Sequence, residues 1–129
     1  MIKRYLVILP VAAVFFALSA NADVVLKDNS EILGKWKVNA ESPKLDGEKK
    51  KVIVEWDFQE DGVLMSKATD VGGRTLEMNI PIQYKVEDGV IKKQVAPGRE
   101  KLESCKVIEK NGSEMILKCP FLYYFLTKL

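Results

Sequence analysis

The sequence predicts an all-β protein: a single antiparallel meander of seven or eight strands that closes into a small barrel, with one short helical turn before the first strand. Three observations carry this prediction. Apolar residues recur with a period of two through most of the chain beyond residue 22. Polar, glycine-containing steps separate the alternating runs, and no apolar stripe of helical spacing persists for three turns.

The N-terminus stands apart. Its basic start, "MIKR", the apolar run from Tyr5 to Leu18 and the small-x-small triplet Ala20-Asn21-Ala22 read as a secretion signal, so residues 1–22 are expected to be cleaved after Ala22. The alternative is an uncleaved anchor. However, a run of about 14 residues interrupted by Pro10 falls short of the roughly 20 that a bilayer core requires. No cysteine follows the run to carry a lipid. Residues 23–129 then form one periplasmic or secreted domain, long enough to withdraw roughly two thirds of its unfolded surface from water.

"DNSEIL", Asp28 to Leu33, supplies the helical turn, with Asn29 or Ser30 as its cap. The first strand opens at Gly34-Lys35-Trp36, and the polar stretch Asn39–Lys50 connects it to the next. Val52, Val54, Trp56 and Phe58 share one face of that second run, which turns at Glu60-Asp61-Gly62 into "VLMSKATD". The longest alternation comes next: Leu76, Met78, Ile80, Ile82, Tyr84 and Val86 face one way, and Glu77, Asn79, Pro81, Gln83 and Lys85 the other. Pro81 has no N–H to donate, so this strand is expected to bend there or to lie at an edge. Further hairpins are expected at Glu87-Asp88-Gly89 and Asn111-Gly112.

Cys105 and Cys119 are the only cysteines, and an even count in an exported chain favours a disulfide. With a three-residue loop around Asn111-Gly112, Cys105 faces Cys119 and Val107 faces Leu117, so the bridge staples one hairpin. There is no C-x-x-C to support a redox pair or a thiolate metal site.

Taken with the signal and the short turn, Gly34-x-Trp36 on the first strand, "WDFQEDGVL" and "YKVEDGVI" resemble the small bacterial lipocalin-like proteins of the calycin group. The resemblance implies an eight-stranded barrel in which Trp36 plugs one end, and a small ligand held inside. A plugging role is also the ordinary expectation for a tryptophan on an alternating strand.

Composition excludes more than it assigns. The chain has no histidine, which removes the commonest general base and the usual zinc and haem ligand together. A Ser-His or Cys-His hydrolase is thereby excluded. Glu55 and Asp57 could work as paired carboxylates, but they alternate with Val54, Trp56 and Phe58 and therefore read as a strand exterior. "DVGGRTL" lacks the lysine and the following helix of a phosphate loop, and "DFQEDG" lacks the terminal glutamate of a calcium loop. Loss of the signal takes Lys3 and Arg4 with it and leaves 18 basic against 18 acidic residues. A near-neutral domain gives nucleic acid no electrostatic purchase, and the run Gly47 to Lys51 reads as a solvated loop. No cofactor, metal, catalytic activity or membrane span after signal removal is expected.

The C-terminal "CPFLYYFLTKL" places Phe121, Tyr123 and Phe125 on one face and Leu122, Tyr124 and Leu126 on the other. It reads as a closing strand covered by the N-terminal segment, as an exposed aromatic stripe that docks a partner or lipid, or, least well, as an outer-membrane barrel strand. Two functions follow. One is a binding protein that holds a small apolar ligand or lipid against Trp56, Phe58, Met65, Met78, Ile80, Ile82 and Tyr84. The other is an accessory or inhibitor of an exported protein, with a solid core, acting through loops or the aromatic strand.

Overall fold

Alternating sequence becomes alternating burial in the computed structural model, which describes residues 23–69 and 76–129. Asn29–Glu31 forms a 3-10 turn, followed by β1 (Gly34–Ser42), β2 (Lys50–Phe58), β3 (Val63–Thr69), β4 (Met78–Glu87), β5 (Val90–Gln94), β6 (Leu102–Asn111), β7 (Glu114–Lys118) and β8 (Tyr123–Lys128). Each strand pairs antiparallel with the next, and β8 returns to β1 to close an eight-stranded barrel. Closure removes the open edges through which a sheet of this length could pair with other chains. The expected cleavage at Ala22 and most of the "DVGGRTL" turn lie outside the described residues. Among the described residues, no helix is long and apolar enough to cross a membrane.

The hairpins at one end are tight and polar. Asp88 (φ 57°) and Gly89 (φ 81°) form a two-residue turn with positive φ at both positions, the geometry that matches the twist of the flanking strands. The turn between β2 and β3 spans Gln59 to Gly62, and Asp61 accepts a hydrogen bond from the Val63 N–H at 3.2 Å. The third hairpin differs from the expectation. Its loop is Gly112-Ser113 alone, and a bulge between Val107 and Glu109 absorbs the odd residue. Val107 still faces Leu117, as predicted, and Cys105 is bonded to Cys119 with 4.2 Å between their Cα atoms.

Two further expectations need correction. The helical turn is capped by Asp28, whose carboxylate accepts from the Ser30 N–H at 2.9 Å, rather than by Asn29 or Ser30. The residue before the turn therefore does the capping. The described part of the N-terminal segment, from Asp23 onward, does not pair with β8 either. Val24 donates to the Val107 carbonyl at 2.9 Å and Leu26 to the Gly89 carbonyl at 3.0 Å, which wedges the segment beside β6 and the β4–β5 hairpin. β8 is instead held between β1 and β7, with Leu126 buried and the Lys49 ammonium 4.7 Å from the Phe125 ring.

Pro81 sits where its missing donor does least harm. β4 pairs with β3 over Met78–Gln83 but with β5 only from Tyr84 onward. The Gln83 N–H, in the same phase as Pro81, turns toward β5 and meets only the Gln94 side chain, at 2.8 Å. Proline thus occupies an edge-like half of β4, as its chemistry predicts.

Candidate functional site

The barrel has two unlike ends. The N-terminal segment and the hairpins β2–β3, β4–β5 and β6–β7 lie at one; the connections β1–β2, β3–β4, β5–β6 and β7–β8 lie at the other.

The first end is closed. Trp36 is 1 % exposed, its indole N–H donates to the Ile32 carbonyl at 2.8 Å, and the Lys128 ammonium sits 4.9 Å from its ring. Lys128 also donates to the Leu33 carbonyl. Gly34 has φ +105°, and a β-carbon there would come within 2.8 Å of the Lys128 nitrogen. Glycine therefore satisfies both the backbone and the lysine, which accounts for the Gly34-x-Trp36 spacing. Leu26 and Ile32 complete the floor, and Phe58, Leu64 and Tyr84 pack above it. The Tyr84 hydroxyl donates to the Gln59 carbonyl at 2.7 Å and accepts from Asn29 at 3.3 Å, while burial raises its pKa above the ordinary value.

At the other end the inner face is not dry. Val54, Ser66, Ala68, Ile80 and Tyr124 point into the barrel in register with one another or with buried neighbours, yet each remains partly exposed. Met78, on the same face, is 55 % exposed. Inward-facing side chains near the floor, such as Leu64 and Ile91, are fully buried. Burial of the inward-facing residues thus falls off from the floor toward the other, open half. Its rim exposes Leu45, Leu76, Met78, Val95, Leu102 and Phe121 among the charged residues of the β1–β2 and β5–β6 connections, with Phe121 at 84 %.

Charges stand inside this open half. Lys93 is 7 % exposed and ion-paired with Glu103 directly across the β5–β6 ladder. Its ammonium lies 5.7 Å from the Trp56 ring centroid. The Tyr124 ring packs on Trp56 at 5.1 Å, and desolvation, reinforced by the charges of Glu41 and Glu103, pushes its phenol up to about 12.

The predicted lining is thus divided. Trp56, Ile80 and Met78 belong to the open half. Phe58, Ile82 and Tyr84 lie toward the floor, where Phe58 and Tyr84 meet edge to face at 5.1 Å. Met65 is a correction to the predicted lining: it pairs with Asp57 and Pro81 on the outer face, one residue out of phase with the buried Leu64. Inside that hairpin the phase is set by Phe58 opposite Leu64, so Met65 must point outward. Lys93, Glu103 and Tyr124 are members of the site that sequence reasoning passed over. A signal existed, because Glu103, Cys105 and Val107 share one phase, as do Ile91 and Lys93.

Glu55 and Asp57 are on the outer face, in register with Lys37 and Lys35. Clefts among the described residues include an outer one of about 250 Å³ beside Lys37, Ile53, Glu55 and Lys67, and another of about 320 Å³ beside Gln83, Lys92 and Gln94. Glu103, Cys105 and Cys119 bring three ligand atoms within 4.8 Å of one another. The disulfide consumes both thiolates, so this trio does not fit a metal ion.

No family model and no curated protein matches the chain. Solved structures do. A lipocalin-like protein from Bacteroides uniformis superposes with a TM-score of 0.62 at 18% identity, covering 78% of this chain and 100% of that one. An uncharacterized protein from Bacteroides eggerthii gives a TM-score of 0.59 at 19% identity, covering 75% of this chain and 98% of that one. The chain therefore has the lipocalin-like barrel fold predicted from its strand pattern and the Gly34-x-Trp36 opening.

Proposed function

We propose that this protein is a non-catalytic, exported binding protein that holds a small apolar ligand in the open half of its barrel. One observation carries the reading: inward-facing apolar side chains around Trp56 stay partly exposed in a barrel whose other end is packed shut. A closed floor with a less buried, largely apolar half above it suits a receptacle better than a uniformly solid core. Export rests on the N-terminal signal pattern and agrees with the disulfide, which persists in oxidising compartments.

The test compares the native mass of protein isolated from its own periplasm with the denatured mass, then identifies any compound released by solvent. A defined mass lost on denaturation supports the carrier reading. A clean apo mass that persists after exposure to a mixed lipid extract overturns it.

A second reading is favoured by the rim. Six large apolar side chains exposed around one opening, Phe121 foremost, also suit an accessory or inhibitor that docks an exported protein partner. Replacing Phe121 and Leu45 by serine would abolish such docking and leave uptake by the cup intact.

A further inference from the structure

The ion pair inside the open half is unusual for a cup that takes apolar molecules. A buried lysine and carboxylate each lose hydration, and their mutual attraction offsets that loss only in part unless their remaining hydrogen-bonding capacity is also met. Here no described protein group beyond the pair itself meets it. The Lys93 ammonium has three N–H groups, and among the described residues its only hydrogen-bond partner is Glu103. Glu103 uses one carboxylate oxygen on Lys93, and the other accepts from no described residue. Tyr124, whose ring also packs on Trp56, makes no hydrogen bond through its hydroxyl with any described residue. Two spare ammonium donors and a spare carboxylate oxygen therefore face the inner wall near Trp56, whose ring also carries the Tyr124 phenol.

The sign of the charge decides what they suit. Lys93 alone would attract a carboxylate or phosphate, but Glu103 already neutralises it. Glu41 adds a further negative charge near Tyr124. Lys50 in turn stands opposite Glu41 across the β1–β2 ladder, so an anionic headgroup would meet only cations that already face a carboxylate. A neutral headgroup meets complementary partners, because a hydroxyl can accept from Lys93 or Tyr124 and donate to Glu103.

We infer that the cup selects a neutral amphiphile, an apolar chain ending in a hydroxyl or a comparable uncharged donor-acceptor group, and discriminates against the corresponding anion, with Lys93 and Glu103 as the residues that read the headgroup. This rests on the carrier reading and sharpens it.

Matched ligands of one chain length test it: 1-decanol and sodium decanoate, titrated near neutral pH into delipidated protein, with intrinsic tryptophan fluorescence and calorimetry as readouts. 1-Decanol is expected to bind at least about tenfold more tightly, equivalent to ~1.4 kcal/mol. Glu103→Gln leaves Lys93 unpaired, so decanoate should gain about tenfold or more and the preference should reverse. Because an unpaired buried lysine can weaken folding, the double variant Lys93→Met/Glu103→Leu serves beside it. With both charges gone, it should bind both ligands through the tail and lose the discrimination.

Decanoate binding at least as tightly as 1-decanol to the unaltered protein would overturn the headgroup inference and leave the carrier reading standing. Binding of neither would overturn both. A preference for 1-decanol that persists in both variants would remove Lys93 and Glu103 from the reading role.

Discussion

Alanine at Gly34 would separate the two demands that meet at the closed end. The backbone demand is a φ of +105°, which costs a side-chain-bearing residue about 1–3 kcal/mol. The second is space: the new methyl would stand 2.8 Å from the Lys128 nitrogen. A lysine end can move, but moving it releases the Leu33 carbonyl and the Trp36 ring. A charged hydrogen bond is worth about 1.5–3 kcal/mol and a partly exposed cation–π contact about 0.5–1 kcal/mol. Because Lys128 can recover part of this through water, the sum expected for Gly34→Ala is ~3 kcal/mol, or a fall in Tm of ~12 °C for a domain of this size. Thermal unfolding followed by circular dichroism measures it. Repeating the substitution in a Lys128→Met background isolates the backbone share, and there the cost should drop to ~1–2 kcal/mol. Equal costs in the two backgrounds would show that Gly34 and Lys128 are not coupled. A total below ~0.5 kcal/mol would refute both components.

Other consequences are open to direct measurement. Replacing both Cys105 and Cys119 by serine should cost ~3 kcal/mol in urea unfolding, because the bridge closes a short loop in the unfolded chain; an unchanged midpoint would contradict this. Leu64→Ala should cost ~2–5 kcal/mol and Met65→Ala less than ~1 kcal/mol, and a reversed order would refute the assigned phase of β3. Folding favours the protonated phenol of Tyr124, so its contribution is complete below pH 10 and is lost as pH climbs from there to about 12. Unscreened, that loss is ~2.7 kcal/mol, and the partial exposure of Tyr124 reduces it to ~1–2 kcal/mol. Tyr124→Phe should remove this part of the alkaline decline, and identical alkaline curves for the two proteins would rule it out.

The fold was legible because period-two alternation and glycine turns are local signals. Val52 to Phe58 and Leu76 to Val86 each present one apolar face, and the glycine turns that follow them join consecutive strands as antiparallel hairpins. The predicted register of Cys105 and Cys119 came from a three-residue loop. The chain reaches the same register with a two-residue loop and a bulge at Ile108, a compensation that no local pattern announces. Met65 was misplaced because methionine is apolar in either phase, and only its partner Asp57 reveals that it faces out. Lys93 was passed over for the converse reason. A lysine in an apolar phase looks like an interruption until the barrel closes and brings Glu103 across from it. Polar members of an interior site are defined by tertiary pairing, which hydropathy alone does not carry.

The seam between β1 and β8 sets the order of assembly. Each of the other ladders joins strands adjacent in sequence and can form as a hairpin, whereas the ladder from Trp36–Lys128 to Ser42–Tyr123 must wait for strands at opposite ends of the barrel sequence. Closing so long a loop is entropically slow and is repaid only when the whole cylinder has formed. Until then Trp36 lacks Lys128, β1 and β8 present raw edges, and the interior stands open along its length. Closure of the barrel and burial of its interior thus depend on one long-range seam between the two ends of the strand sequence.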